Sequence, residues 1–142
     1  VGAAVANNNS PQYSGAAGAA AGYAAVRNNV DHPGMYLVSN ARGLDIVEAV
    51  GSPNLKLIYD LYHSTVMGED TEAVLSGRMH LVHHIQIADM PGRGEPGTGA
   101  IDWATLVATL RRLGYQGGLG LEYRPSMPAL ASLAQTRAAL SL

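Results

Sequence analysis

Three short apolar runs recur along the chain at intervals of about one strand-plus-helix unit, and that spacing limits its fold more than any other feature. They are Leu55-Lys56-Leu57-Ile58-Tyr59-Asp60, His83-His84-Ile85-Gln86-Ile87-Ala88 and Gly118-Leu119-Gly120-Leu121-Glu122-Tyr123, each of strand length. Helical stretches lie around them. Ser39 is placed to cap a helix through Leu44, Val47 and Val50, which Gly51 stops. A second helix is expected over about 69–79. Asp102 caps a third, with Trp103, Leu106, Leu110 and Leu113 on one face and Gly114 at its end. A last helix is expected over 128–140. Strands that alternate with helices build βα units, and βα units build a parallel sheet. The expected fold class is therefore α/β.

Residues 1–30 do not share this pattern. They are mostly Ala, Gly and Asn, with Arg27 as the sole charge, and Asn7-Asn8-Asn9-Ser10-Pro11 reads as loop. Residues 16–25 have helical propensity, but Gly18 and Gly22 each cost about 1 kcal/mol against alanine. The expected organisation is a low-complexity leader over 1–30 and one domain over 31–142. With 142 residues, nine Lys and Arg and eleven Asp and Glu, the net charge is −2. That balance argues against nucleic acid and against a basic membrane surface as partners. The absence of cysteine excludes a disulfide scaffold, a thiolate metal site and a cysteine nucleophile. No apolar run approaches the ~18 residues of a membrane span, and no signal peptide is visible, so a cytoplasmic location is expected.

Each strand run ends in a group able to hold a hard cation or move a proton: Asp60, Gln86 and Glu122, spaced 26 and 36 residues apart. In β/α barrels the C-terminal strand ends converge on the face where active sites are built. Three oxygen donors there suit Mg²⁺ or Mn²⁺. Strand-end polar residues that merely meet solvent would give the same pattern. Alternation puts His84, Gln86 and Ala88 on one face and Gly118, Gly120 and Glu122 on one face, the glycines leaving room inside a barrel. His63, three residues past Asp60 in the expected loop where a substrate would lie, can polarise a carbonyl or hydroxyl. His83 and His84 point to opposite faces, which disfavours a shared zinc, and His83 reads as a core or interface residue; His32 and His80 read as surface residues. Arg93, in the Gly- and Pro-rich loop over 91–99, suits a substrate carboxylate or an ion pair such as one with Glu95. Asp45, Glu48, Glu69, Asp70 and Glu72 read as solvated helix faces, and Arg111 and Arg112 as helix-end charges.

Several longer motifs go together with these residues. They are Asp31-His32-Pro33-Gly34-Met35-Tyr36-Leu37, Leu57-Ile58-Tyr59-Asp60-Leu61-Tyr62-His63, His84-Ile85-Gln86-Ile87-Ala88-Asp89-Met90-Pro91-Gly92-Arg93, Glu95-Pro96-Gly97-Thr98-Gly99, Leu113-Gly114-Tyr115-Gln116-Gly117 and Gly120-Leu121-Glu122-Tyr123. In this order and spacing, over about 31–125, the chain resembles the hydroxypyruvate isomerase family of xylose-isomerase-like (β/α)₈ TIM barrels. The resemblance implies a partial barrel, about the C-terminal three to four βα units. It implies an aldose–ketose shift between hydroxypyruvate and tartronate semialdehyde, a small hydroxy-oxo acid substrate, and a divalent cation, Mg²⁺ or Mn²⁺, that stabilises the enediolate. It matches Asp60, Gln86 and Glu122 to metal ligands, Glu122 to one of two proton-transferring glutamates, and His63 and Arg93 to positions that meet the substrate.

The departures are equally specific. Ala25 stands where the family carries its first catalytic glutamate, although Asn28 matches the family asparagine, and Gly94 and Ala100 replace a usual histidine and glutamate. A complete barrel has ~250 residues, so the first four units have no counterpart here. The expectation is a half-barrel with impaired isomerase activity that self-associates into a homo-oligomer. The alternatives are a non-catalytic fragment that covers its open edges by dimerising, and a related metal-dependent sugar epimerase.

Overall fold

The computed structural model describes residues 5–7 and 22–25, as backbone, and residues 30–141 in full. Two short strands, β1 (Val5–Asn7) and β2 (Gly22–Ala25), precede α1 (Asn40–Val50), β3 (Leu55–Asp60), α2 (Leu61–Val66) and α3 (Thr71–Leu75). A 3₁₀ turn (Met79–Leu81) then leads into β4 (Val82–Ile87), α4 (Trp103–Arg112), β5 (Leu119–Leu121) and α5 (Ala129–Ala139). The five strands lie in one sheet in sequence order. β2, β3, β4 and β5 are mutually parallel, and β1 runs antiparallel on the outside of β2. Parallel neighbours in chain order, each joined by helical crossovers, form the wall of a barrel.

Strand alternation divides the wall cleanly. Leu57 and Tyr59 on β3 and Ile85 and Ile87 on β4 join one apolar cluster with Leu44 and Val47 of α1 and Trp103, Val107 and Leu110 of α4. Burying each such side chain contributes about 1.5–3 kcal/mol, so this cluster holds the helices on the sheet. The residues between them, Ile58 and Asp60, His84 and Gln86, take the opposite face, which is the inside of the barrel wall.

The helix ends follow the capping residues. The Ser39 hydroxyl accepts from the Arg42 N–H, and Gly51 closes α1 with φ 62°. Asp102 accepts from Thr105 N–H to start α4. Two expectations need correction. The helix expected over 69–79 is only the short α3 followed by the 3₁₀ turn, because Gly77 at φ 73° breaks the run. The residues after Asp60, read as a loop, form α2, capped by Asp60 itself. Of the segment 16–25, the described part, Gly22–Ala25, is strand rather than helix; the rest, like most of the leader expected over 1–30, lies outside the described residues. No helix among the described residues is long and apolar enough to cross a membrane.

Candidate active site

Asp60 is the last residue of β3 and pairs in register with Gln86 on β4, which in turn pairs with Gly120 on β5. Glu122 follows two residues after Gly120, on the same face by alternation. All three candidate ligands therefore stand at C-terminal ends of adjacent parallel strands. On the other side, Ala25 ends β2 and pairs with Ile58, two residues before Asp60. The positions advance two residues along the strand direction from Ala25 to Asp60, none from Asp60 to Gln86 and two again from Gln86 to Glu122, a net stagger in the sense that a barrel requires. By backbone register Ala25 occupies the corresponding place on β2.

Asp60 is buried, at 3% exposure. Its carboxylate accepts from the His63 N–H at 3.1 Å and lies 3.5 Å from His63 Nε2. Burial pushes its pKa up to about 7, with the Glu122 charge adding to the rise and the His63 N–H and Arg93 opposing it. Glu122 thus lies close enough to Asp60 to act on it, and Gln86 stands beside Asp60 by backbone register. That donor set fits a hard divalent cation, which would relieve the like-charge repulsion. Among the described residues no three His, Cys, Asp or Glu side chains converge as a metal cluster, so the set is two carboxylates plus Gln86.

Gly120 makes room for this arrangement. A β-carbon there would strike the Nε2 of His84, so the imidazole of β4 fills the space that the glycine leaves. Burial, with a smaller contribution from His83, lowers the His84 pKa. His83, read from the sequence as a core or interface residue, is exposed on β4 and so is not part of the core.

Arg93 reaches Glu122 at two points: Nη2 lies 3.3 Å from its carboxylate, and Nε donates to its carbonyl at 3.2 Å. The guanidinium also sits 5.1 Å from the centre of the Tyr62 ring. Its ion-pair partner is therefore Glu122, not Glu95. Arg93 adopts φ 58°, unusual outside glycine. The loop holds it there by backbone bonds from Asp89 N–H to Gly94 O and from Arg124 N–H to Arg93 O, at 2.9 and 2.7 Å. His63 is fully buried, its ring edge-on to Tyr62 and to His32.

Three acidic residues serve the scaffold in ways the sequence did not disclose. Buried Asp89 accepts from Met90, Gly97 and Ile101 N–H groups and from Trp103 Nε1. Buried Glu95 accepts from the Ser126 N–H and hydroxyl at 2.7 and 2.9 Å, tying the Arg93 loop to the segment after β5. Glu69 is not a solvated helix residue: it accepts from the N–H groups of Asn40 and Ala41 and from the Ser39 and Ser64 hydroxyls, pinning the start of α1. Only the loop's density of Gly and Pro hinted that Asp89 and Glu95 had a special job.

The chain is 37% identical over 106 residues to the hydroxypyruvate isomerase of Escherichia coli, covering 75% of this chain and 41% of that protein. It is 41% identical over 102 residues to a putative hydroxypyruvate isomerase of Streptomyces coelicolor, covering 69% and 37%. A 2-oxo-tetronate isomerase of Cupriavidus necator is 37% identical over 106 residues, covering 75% and 41%. The chain thus spans about two fifths of the length of these relatives. Among solved structures it superimposes on a family 2 AP endonuclease from Brucella melitensis with TM-score 0.74 at 30% identity, over 79% of this chain and 43% of that one. It superimposes on the 3-keto-D-glucoside 4-epimerase of E. coli with TM-score 0.71 at 27% identity, over 82% and 45%. The xylose isomerase-like TIM barrel family matches residues 17–141. With its parallel wall and strand-end site, the chain belongs to the xylose isomerase-like TIM barrel family.

Proposed function

We propose that this chain carries the metal-binding and proton-transfer side of an isomerase for a small hydroxy-oxo acid, interconverting hydroxypyruvate and tartronate semialdehyde. The observation that carries the reading is the convergence of Asp60, Gln86 and Glu122 at adjacent strand ends, two of them carboxylates close enough to act on each other. The names of the relatives support the substrate class. Asp60, Gln86 and Glu122 would hold a divalent cation, Mg²⁺ or Mn²⁺, whose contribution when bound is to stabilise negative charge on the substrate oxygens.

The chain's own residues account for the rest. Glu122, as carboxylate, removes the proton from the carbon bearing the hydroxyl or returns one to the neighbouring carbon. Arg93 orients it through their ion pair. His63, held by Asp60, presents its ring beside the reacting oxygens. A proton must leave one carbon and arrive at the next, and Ala25 supplies no second acid/base group. The expected activity is therefore feeble. The sugar-epimerase alternative predicts turnover of neutral ketoses instead.

The test is conversion of hydroxypyruvate with added Mg²⁺ or Mn²⁺, beside a panel of neutral ketoses. Weak turnover, abolished by Glu122→Gln and raised by Ala25→Glu, supports the reading. Metal-independent conversion, or conversion indifferent to Glu122→Gln, rejects it.

A further inference from the structure

We propose that Arg124 recognises the substrate's carboxylate, and so makes the site selective for 2-oxo acids over neutral sugars with the same carbonyl chemistry. This rests on the function proposed above, whose substrate class it specifies.

Residues of β5 and those just past it divide between two sides. Leu119 and Leu121 line the apolar groove beneath α4 and α5. Tyr123 continues on that side, its hydroxyl 2.7 Å from the Ser132 hydroxyl on α5. Gly120 and Glu122 belong to the other side, where Gly120 meets His84 and Glu122 meets Arg93; Arg124 lies three residues past the end of β5 and lines the same cavity as Glu122. Arg124 and Arg93 are also joined through the backbone, Arg124 N–H donating to the Arg93 carbonyl at 2.7 Å.

Arg93, Arg124, Glu122 and His32 line one open cavity of about 700 Å³, to which Leu121 and Tyr123 also contribute. The two arginines differ in what they already hold. Arg93 is committed to the Glu122 carboxylate and carbonyl and to the Tyr62 ring. Arg124 is exposed and forms no ion pair among the described residues, although it lies near enough to act electrostatically on the Tyr62 phenol. His32 adds a second open valence: its Nε2 is shielded from solvent and has no hydrogen-bond partner among the described residues. A guanidinium and an imidazole nitrogen beside the catalytic carboxylate fit an anion on the carbon next to the reacting pair. A planar carboxylate takes two parallel hydrogen bonds from the guanidinium fork, whereas a neutral hydroxymethyl group takes one uncharged bond. Arg124 thus contributes little to binding a neutral ketose and much to binding a 2-oxo acid.

The test compares two ligands that differ only at this group: hydroxypyruvate, and dihydroxyacetone, which carries a hydroxymethyl in place of the carboxylate. Each is titrated calorimetrically into the full 142-residue chain in the presence of Mn²⁺, with Mn²⁺ binding followed separately by its paramagnetic resonance. Wild type is expected to prefer hydroxypyruvate. Arg124→Gln should weaken hydroxypyruvate by about 10-fold or more while leaving dihydroxyacetone and Mn²⁺ unchanged, and Arg124→Lys should recover part of the loss. A preference untouched by Arg124→Gln, with Mn²⁺ binding still dependent on Asp60 and Glu122, overturns the role of Arg124 and leaves the proposed function standing. Equal weakening of both ligands also overturns it, since that marks a structural role. A wild-type chain that binds neither Mn²⁺ nor hydroxypyruvate rejects both.

Discussion

At the scale of single residues, the site depends on carboxylates placed in opposite environments. Asp60 is buried beside another acid and its pKa rises to about 7. Glu95 is equally buried, and burial pushes its pKa up too, but hydrogen bonds from its own N–H and from Ser126 and Ser132 outweigh that and bring it to about 2. Donors decide the sign. The consequence for Glu95 is a dependence of stability on acid. Its folded pKa lies below the ordinary 4.5, so its stabilising contribution is complete above about pH 4.5 and is lost as pH falls toward 2. Thermal melts across that window should show wild type losing stability more steeply than Glu95→Gln. Parallel curves would mean that the Ser126 clasp adds nothing to folding. At Glu122, replacement by glutamine should lower turnover by about 10²–10⁴-fold, the usual loss for a positioned acid or base, with the melting temperature nearly unchanged because the side chain is 36% exposed.

At the scale of elements, the ends of helices carry disproportionate weight. The start of α1 is held twice, by the Ser39 cap and by Glu69, which reaches back to the N–H groups of Asn40 and Ala41. A negative charge at a helix N-terminus is favourable, and here it also satisfies donors that would otherwise lack partners. Glu69→Ala should therefore cost about 2 kcal/mol in urea unfolding. Asp102→Ala, which removes only an exposed cap of α4, should cost about 1 kcal/mol. The order of the two is the sharper test: an Asp102 variant less stable than the Glu69 variant would contradict the α1 assignment.

At the scale of the whole molecule, the described sheet stops short of closure. β5 has no strand on its outer side, and β1 caps β2 with three residues. Beside the β5 edge, Leu121 and Leu133 are 43% and 49% exposed. An open edge with neighbouring apolar side chains favours pairing with another chain. We expect the isolated chain to self-associate. Sedimentation velocity over a concentration series should show growth beyond monomer that Leu133→Glu suppresses. A well-folded species that stays monomeric at high concentration would remove the edge as a driving force.

The alternation of β3, β4 and β5 with α1, α4 and α5 was legible in the sequence, because strand alternation and capping act over a few residues; β1, β2 and the short α2 were not. His84, Gln86 and Ala88 could be assigned to one face, Gly118, Gly120 and Glu122 to one face, and Asp60, Gln86 and Glu122 to strand ends, from period and punctuation alone. Tertiary structure decided what those polar groups touch. That Arg93 pairs with Glu122 rather than Glu95, that Glu69 caps a helix 29 residues upstream, and that His84 fills the space over Gly120 all depend on contacts between segments far apart in sequence. Local periodicity carries no information about such partners. They are selected only when the sheet closes up its register and burial makes an unsatisfied charge or donor too costly to leave.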